Sequence, residues 1–408
     1  MQSWQRNLYI LTFVQFVSAI GMSSVFTFLP LYAEELGSSS GIPIEYLTGL
    51  VFSAQAFTMM LAAPVWGALA DRHGRKMMVL RATFGSAAMI LLMAFVQNAE
   101  QLVLLRALQG ALTGVLAALT ALVAASVPRD RAGYALGILQ VGLWGGISIG
   151  PLVGGFIADQ FGFSASFLVT ATLLVLAGIM VIIGVEEHFE ALPRQAATEH
   201  DGLLQAWAHV LRSQGVGMTY LVRFLSRFGR TIVMSFSALF IADLVSSEGQ
   251  TATITGVAMA ISAVAGTVSA IYMGRLGDRV GHRRVLIVAA LLAAVFYTPM
   301  SLTENVWQFT VLLTLAGAAA GGIMPTLSAL LAAYTEPGEE GAVYGLESSI
   351  MAGARAVAPM LGAVLVAWFG LRSIYIASGI TFVIMGVIAA RFLPASQPRD
   401  LTARSAPG

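Results

Sequence analysis

Glu347, Arg106, Arg227, Arg230 and Arg355 each stand inside a long apolar stretch of this chain. A charged group at the centre of a hydrocarbon layer costs at least about 2.5 kcal/mol, so it is functional by default and needs a partner. Glu347 is the clear carboxylate inside such a stretch, about two turns or roughly 9 Å from its start. It can gain and lose a proton, which is what coupling to a proton gradient requires. Arg355 follows two turns later, about 80° around the helix, so the two can border one cavity without touching. Arg227 and Arg230 lie too deep to reach water by extending their side chains. They need a carboxylate, water or an anionic substrate. Arg223, nearer the helix start, is expected to snorkel to the interface. Arg227 and Glu347 sit at similar depths, which predicts that their helices pair through these charges, the alternative being arginines that face only a wet cavity. The 5 histidines (His73, His188, His200, His209 and His282) all fall in polar stretches. The chain has no cysteine, which excludes disulfides and thiolate metal sites.

The elements that must hold these charges are membrane spans. Of the 408 residues 57% are hydrophobic and 11% charged, whereas a soluble surface needs roughly 25% charge. Apolar segments long enough to cross a bilayer cover residues 7–36, 46–70, 77–96, 99–127, 131–159, 164–185, 217–244, 252–276, 283–302, 307–334, 341–369 and 372–392. The expected architecture is an all-α polytopic membrane protein. Its twelve spans form two six-helix bundles, 1–185 and 217–393, joined by a linker at 186–216 and followed by a disordered tail at 394–408. The linker holds apolar residues at helical spacing from Leu203 to Leu211 around Trp207, which suggests an interfacial helix. The first segment is too long for a signal-peptide core and is expected to be a span.

Lys and Arg in the short loops orient the chain. One side collects Arg72, Arg75, Lys76, Arg129, Arg131, Arg275, Arg279, Arg283 and Arg284, the other only Arg372 among many acids. Both termini are therefore expected in the cytoplasm.

Two segments repeat at an offset of 207 residues: Gly67-Ala-Leu-Ala-Asp71-Arg72-His-Gly74-Arg75-Lys76, and Gly274-Arg-Leu-Gly-Asp278-Arg279-Val-Gly281-His-Arg283-Arg284. Each falls between the second and third span of its half. Gly137, Pro151, Gly154 and Phe161-Gly162 recur as Gly345, Pro359, Gly362 and Phe369-Gly370 at an offset of 208. Six spans per half is an even number, so the halves enter the membrane alike and are related by an axis along its normal. A substrate site then belongs near the midplane between them.

These motifs resemble the major facilitator superfamily across nearly the whole chain, and within it the twelve-helix drug/proton antiporters. Gly67 to Lys76 looks like the superfamily's signature between spans 2 and 3, and resemblance implies a conformational latch of Gly67, Asp71, Arg72, Gly74, Arg75 and Lys76, echoed by Asp278 and Arg279. Leu102-x-x-x-Arg106-x-x-Gln109-Gly110 looks like the family's span-4 motif, whose arginine is linked to proton movement. Gly146-x-x-x-Gly150-Pro151-x-x-Gly154-Gly155 is similar to the motif of exporters. Its glycines permit close packing and its proline kinks the helix. Several such antiporters carry an acid within span 1. Here there is none between Asn7 and Tyr32. The inventory is cationic and leaves room for an anionic or zwitterionic amphiphile.

Softer candidates for the substrate path are Gln15, Phe26, Phe28, Gln55, Phe57, Gln140, Trp144 and Phe236, and the 18 methionines could add an adaptable lining. The resulting expectation is a monomeric transporter of the inner membrane, not an enzyme. It exports small hydrophobic or amphipathic compounds such as drugs against an inward flow of protons. The alternatives are a symporter or facilitator for a nutrient or organic anion, or a carrier of lipid-type amphiphiles. Membrane lipid is its surroundings, a proton gradient its only cofactor. A net charge of +1 gives no reason to expect nucleic acid, and no G-x-x-x-x-G-K-[ST] run suggests ATP.

Overall fold

The computed structural model describes residues 3–128, 131–187, 215–245, 250–334 and 340–394. Within them 12 helices are long and apolar enough to cross a membrane. A bilayer offers the backbone no hydrogen bonds, so helices are the form in which these apolar runs satisfy their own N–H and C=O groups. Numbered as spans, they are 1 (Ser3–Leu36), 2 (Ile44–His73), 3 (Arg75–Met93), 4 (Ala99–Leu112 with Val115–Ser126), 5 (Ala132–Phe161) and 6 (Phe163–Gly184). The second half has 7 (Val216–Leu244), 8 (Thr251–Val280), 9 (His282–Tyr297), 10 (Val306–Gly321 with Ile323–Tyr334), 11 (Glu340–Phe369) and 12 (Ser373–Phe392). A short 3₁₀ turn, Thr298–Leu302, finishes span 9.

Two expectations change. The signature between spans 2 and 3 is not a loop, because span 2 continues through Asp71 and Arg72 to His73. The turn is Gly74 alone, at φ 88°, where a side chain would be strained. Gly281 does the same between spans 8 and 9 at φ 96°. Span 4 is also not one helix. It breaks at Thr113 and Gly114, the latter at φ 122°. The expected helix at Leu203–Leu211 and the tail beyond residue 394 lie outside the described residues.

The packing repeats with the sequence. Spans 1 and 5, 2 and 4, and 3 and 6 pack together, and so do 7 and 11, 8 and 10, and 9 and 12. Between halves, span 2 packs on span 11 and span 5 on span 8. Adding six to each number turns one pair into the other, which is the signature of a two-fold axis along the membrane normal. Each half has its own core, including Phe28, Phe167 and Leu102 in the first and Phe236, Phe309 and Tyr375 in the second.

Candidate functional site

The two halves meet at one end of the molecule. A Cβ on Gly49 of span 2 would stand 2.7 Å from Ala363 Cβ and 2.8 Å from the Pro359 carbonyl of span 11. Gly155 lies against the Ala252 and Thr253 backbone of span 8, and Gly256 against the Pro151 carbonyl. The Asp159 carboxylate accepts hydrogen bonds from Ala252 N (3.1 Å) and Thr253 N (2.6 Å), so one half caps the first turn of span 8 in the other. A carboxylate at a helix N-terminus satisfies orphan donors and the helix dipole together. The basic ends of spans 2 and 5 are apart from the other half: Gly67, Gly133 and Gly137 have nothing within 4 Å of where a Cβ would be. Along span 5 the stripe that packs on span 8 at Pro151 and Gly155 is half-buried at Ser148 and becomes exposed at Trp144, Val141 and Tyr134. The molecule is thus closed at its acidic end and open at its basic end.

Spans 7 and 11 bring their charges into this opening, in a different pairing from the expected one. Glu347 makes its ion pair with Arg223, not Arg227. Arg223 does not snorkel. Its side chain is 1% exposed, and it also donates to Ser328 Oγ of span 10. Glu347 is 19% exposed, so the carboxylate remains reachable from the opening. One turn nearer the basic end, Tyr220 Oη donates to the Val343 carbonyl (2.9 Å) and ties the same two spans. Arg227, Arg230 and Arg355 lie further toward the midplane and are half-buried.

Arg106 of span 4 is buried and well satisfied. It donates to the Val51 carbonyl (3.2 Å) and to Gln109 Oε1 (2.8 Å), which binds span 4 to span 2. No acid pairs with it among the described residues.

The signature between spans 2 and 3 works as a strap within one half. Arg75 N and Lys76 N both donate to the Glu187 carboxylate at 2.8 Å, while Lys76 Nζ donates to the Val185 (2.6 Å) and Ile182 (3.0 Å) carbonyls. An anion caps the start of span 3 and a cation the end of span 6. The second half repeats the latter, with Arg283 donating to the Ala389 and Ala390 carbonyls of span 12. Asp278 meets His282 at 3.4 Å, and Arg279 is exposed. Beyond their helical backbone, Asp71 and Arg72 lie outside what the structure describes.

Residues 11–222, and again 219–408, match the model of the Major Facilitator Superfamily. The chain belongs to the Major Facilitator Superfamily. Two matches, one per half, agree with the repeat. Over 91% of the chain and 92% of the relative it is 34% identical to "Multidrug resistance protein MdtG" of Proteus mirabilis (strain HI4320). A protein of the same name from Salmonella arizonae is 32% identical, again over 91% of this chain and 92% of that one. Among solved structures, a point mutant of the nucleoside transporter NupG superposes with a TM-score of 0.79 at 13% identity, covering 95% of this chain and 100% of that one. A bacterial homologue of the human lysosomal transporter Spinster, solved inward-facing and unoccupied, gives 0.79 at 14% identity over 95% and 96%. At such identities these two establish the fold alone.

On this major facilitator scaffold the exporter-type motif serves two contacts. A Cβ on Gly146 would come within 2.5 Å of the Phe16 carbonyl and one on Gly154 within 2.6 Å of Ser24, both on span 1, and Gly150 also faces span 1. Pro151 and Gly155 face span 8 across the halves.

The candidates for the substrate path divide. Gln140 and Trp144 are exposed on the stripe of span 5 that borders the opening, and Phe57 is exposed on span 2. Gln55 reaches Gln109 at 3.4 Å. Phe26 is half-buried against Phe52, at 4.5 Å between ring centroids. Phe28 and Phe236 are fully buried core rings, and Gln15 is 2% exposed, so these three line no opening here. Large aromatic residues fill cores more often than they line paths.

Sequence reasoning missed Arg81 of span 3. Its guanidinium sits 3.5 Å from the Trp66 ring centroid and donates to the Thr113 carbonyl at the break of span 4. It also missed a third repeated pair. Asn98 and Asn305 cap spans 4 and 10 by accepting from Gln101 N and Gln308 N, each at 2.9 Å. The visible signal was Asn-x-x-Gln before an apolar run.

Proposed function

We propose that this chain is a secondary transporter of the inner membrane. It exports small hydrophobic or amphipathic compounds, drugs among them, in exchange for protons. The observation that carries export is likeness over nearly the whole chain to proteins named for multidrug resistance. The basic residues Arg75, Lys76, Arg275, Arg279, Arg283 and Arg284 share the open end, which supports an inward-facing state with both termini in the cytoplasm.

The coupling step follows from Glu347 and Arg223. Ionised, Glu347 neutralises a buried guanidinium and holds span 11 on span 7. Protonated, it leaves Arg223 uncompensated, a change of about 3–5 kcal/mol when one partner of a buried pair is lost. Span 11 also carries the contact with span 2 at the closed end. Proton occupancy of Glu347 therefore biases how the halves rock. Arg106 braces spans 2 and 4 in this scheme and leaves the proton to Glu347. Arg227, Arg230 and Arg355 complete the charged lining.

The test is transport by the full chain in proteoliposomes with an imposed pH gradient and a panel of amphipathic compounds. Substrate-dependent proton flux is expected, and Glu347→Gln should leave substrate exchange that no longer follows the gradient. Proton flux unaffected by Glu347→Gln would remove this residue from coupling. No substrate-dependent proton flux at all would sink the antiporter reading.

A further inference from the structure

Three arginines of spans 7 and 11 lie near the midplane, and among the described residues no acid pairs with them. Arg227 and Arg230 follow Val216, the first residue of span 7, by 11 and 14 residues. Arg355 follows Glu340, the start of span 11, by 15. At 1.5 Å per residue these are depths of roughly 16–22 Å, near the middle of helices about 44 Å long. Spans 7 and 11 pack side by side, which sets the three arginine positions at one level of the membrane. Of the carboxylates on these two helices, Asp243 and Glu340 stand at the helix ends, and Glu347, two turns below Arg355, is held by Arg223. Among the described residues no Asp or Glu forms an ion pair with Arg227, Arg230 or Arg355. The Nε atoms of Arg227 and Arg355 are buried without a hydrogen-bond partner.

Like charges gathered at the midplane of a membrane protein are costly. Their guanidinium forks suit planar, bidentate recognition of an oxyanion. The stripe of span 5 that borders the opening offers exposed apolar side chains, Trp144 and Val141. We infer that Arg227, Arg230 and Arg355 form an anion-binding subsite that takes the negatively charged head group of an amphiphilic substrate, a carboxylate, sulfonate or phosphate. The inference rests on the export reading and specifies its substrate class. The substrate's charge lowers the cost of the three cations, so the loaded and empty states differ in how tightly spans 7 and 11 can close.

The experiment uses the full chain in nanodiscs of zwitterionic lipid, with empty nanodiscs as background. The probes are fluorescent anilinonaphthalene sulfonate and its uncharged counterpart, phenylnaphthylamine. Saturable sulfonate binding is expected, weakened about tenfold or more by Arg227→Gln or Arg355→Gln, the loss of one charged hydrogen bond. Binding of the uncharged probe should not change. Equal affinity for both probes, or unchanged sulfonate binding in variants that melt like the parent, overturns the subsite. Should those variants misfold, competition on the unmodified protein decides: benzenesulfonate is expected to displace the probe, and displacement by benzyltrimethylammonium instead overturns the proposal. The two readings fail separately. Proton-driven movement of an uncharged drug without sulfonate selectivity keeps export and removes the subsite. Arginine-dependent sulfonate binding with no proton-driven movement of any compound does the reverse.

Discussion

Arg223 and Glu347 form an ion pair in which one member is almost wholly buried and the other can reach water. Removing one member of a buried ion pair typically costs about 3–5 kcal/mol, whereas replacing both with apolar groups of similar size is often neutral. Arg223→Met alone should therefore lower the melting temperature of the detergent-solubilised protein by several degrees. The double variant Arg223→Met, Glu347→Leu should recover most of that loss. A double variant as unstable as the single would show that the two side chains do not act as a unit. The sequence identified the carboxylate and the helices but chose the wrong arginine. Arg223 follows Val216 by 7 residues and Glu347 follows Glu340 by 7, so equal register favours Arg223. Helix starts must be known to a single residue for that count, and apolar runs do not mark them so sharply. Burial of Arg223 was likewise illegible, since it depends on span 10 bringing Ser328 to the same place.

At the scale of elements, the glycines of span 5 separate fold from mechanism. Gly146 faces span 1 of its own half and Gly155 faces span 8 of the other. Gly146→Val should destabilise the first bundle outright, by about 1–3 kcal/mol for overpacking, and appear as reduced yield and melting temperature. Gly155→Val should leave that bundle intact and loosen the contact between halves. It is read as faster labelling of a cysteine placed near the closed end. The parent chain has no cysteine, so any such label is unambiguous. Equal loss of melting temperature in both variants would refute the division. Pattern and spacing showed these glycines as a packing stripe. They could not say which neighbour each one touches, because that depends on helix rotation and on the state of the opening. The break in span 4 was hidden for a related reason. Thr113-Gly114 is an ordinary pair in an apolar run, and a single glycine inside a helix is common enough to pass as packing.

For the whole molecule, the repeat at 207–208 residues predicted the two-fold architecture, and packing of spans 2 on 11 and 5 on 8 realises it. A sequence describes every state at once, so it could not say which end is closed in this one. Asp159 is what the closed end adds. It stood in the sequence as one acid among several on that side, yet it caps span 8 of the opposite half through two backbone donors. Opening that end must break both bonds and expose the first turn of span 8. Hydrogen bonds to a charged group contribute about 1.5–3 kcal/mol each, and every 1.4 kcal/mol is a tenfold shift in population. Asp159→Ala should therefore move the equilibrium at least about tenfold toward the outward-open state. Spin labels at Ile42→Cys and Leu302→Cys, exposed on opposite halves of the closed end, measure it directly. The variant should show a longer distance between them, while labels at Met77→Cys and Leu276→Cys on the basic end draw together. An unchanged distance distribution at both ends would mean that the glycine contacts alone hold the halves shut. Lengthening at the closed end without the matching approach at the basic end would argue against rocking as a rigid pair.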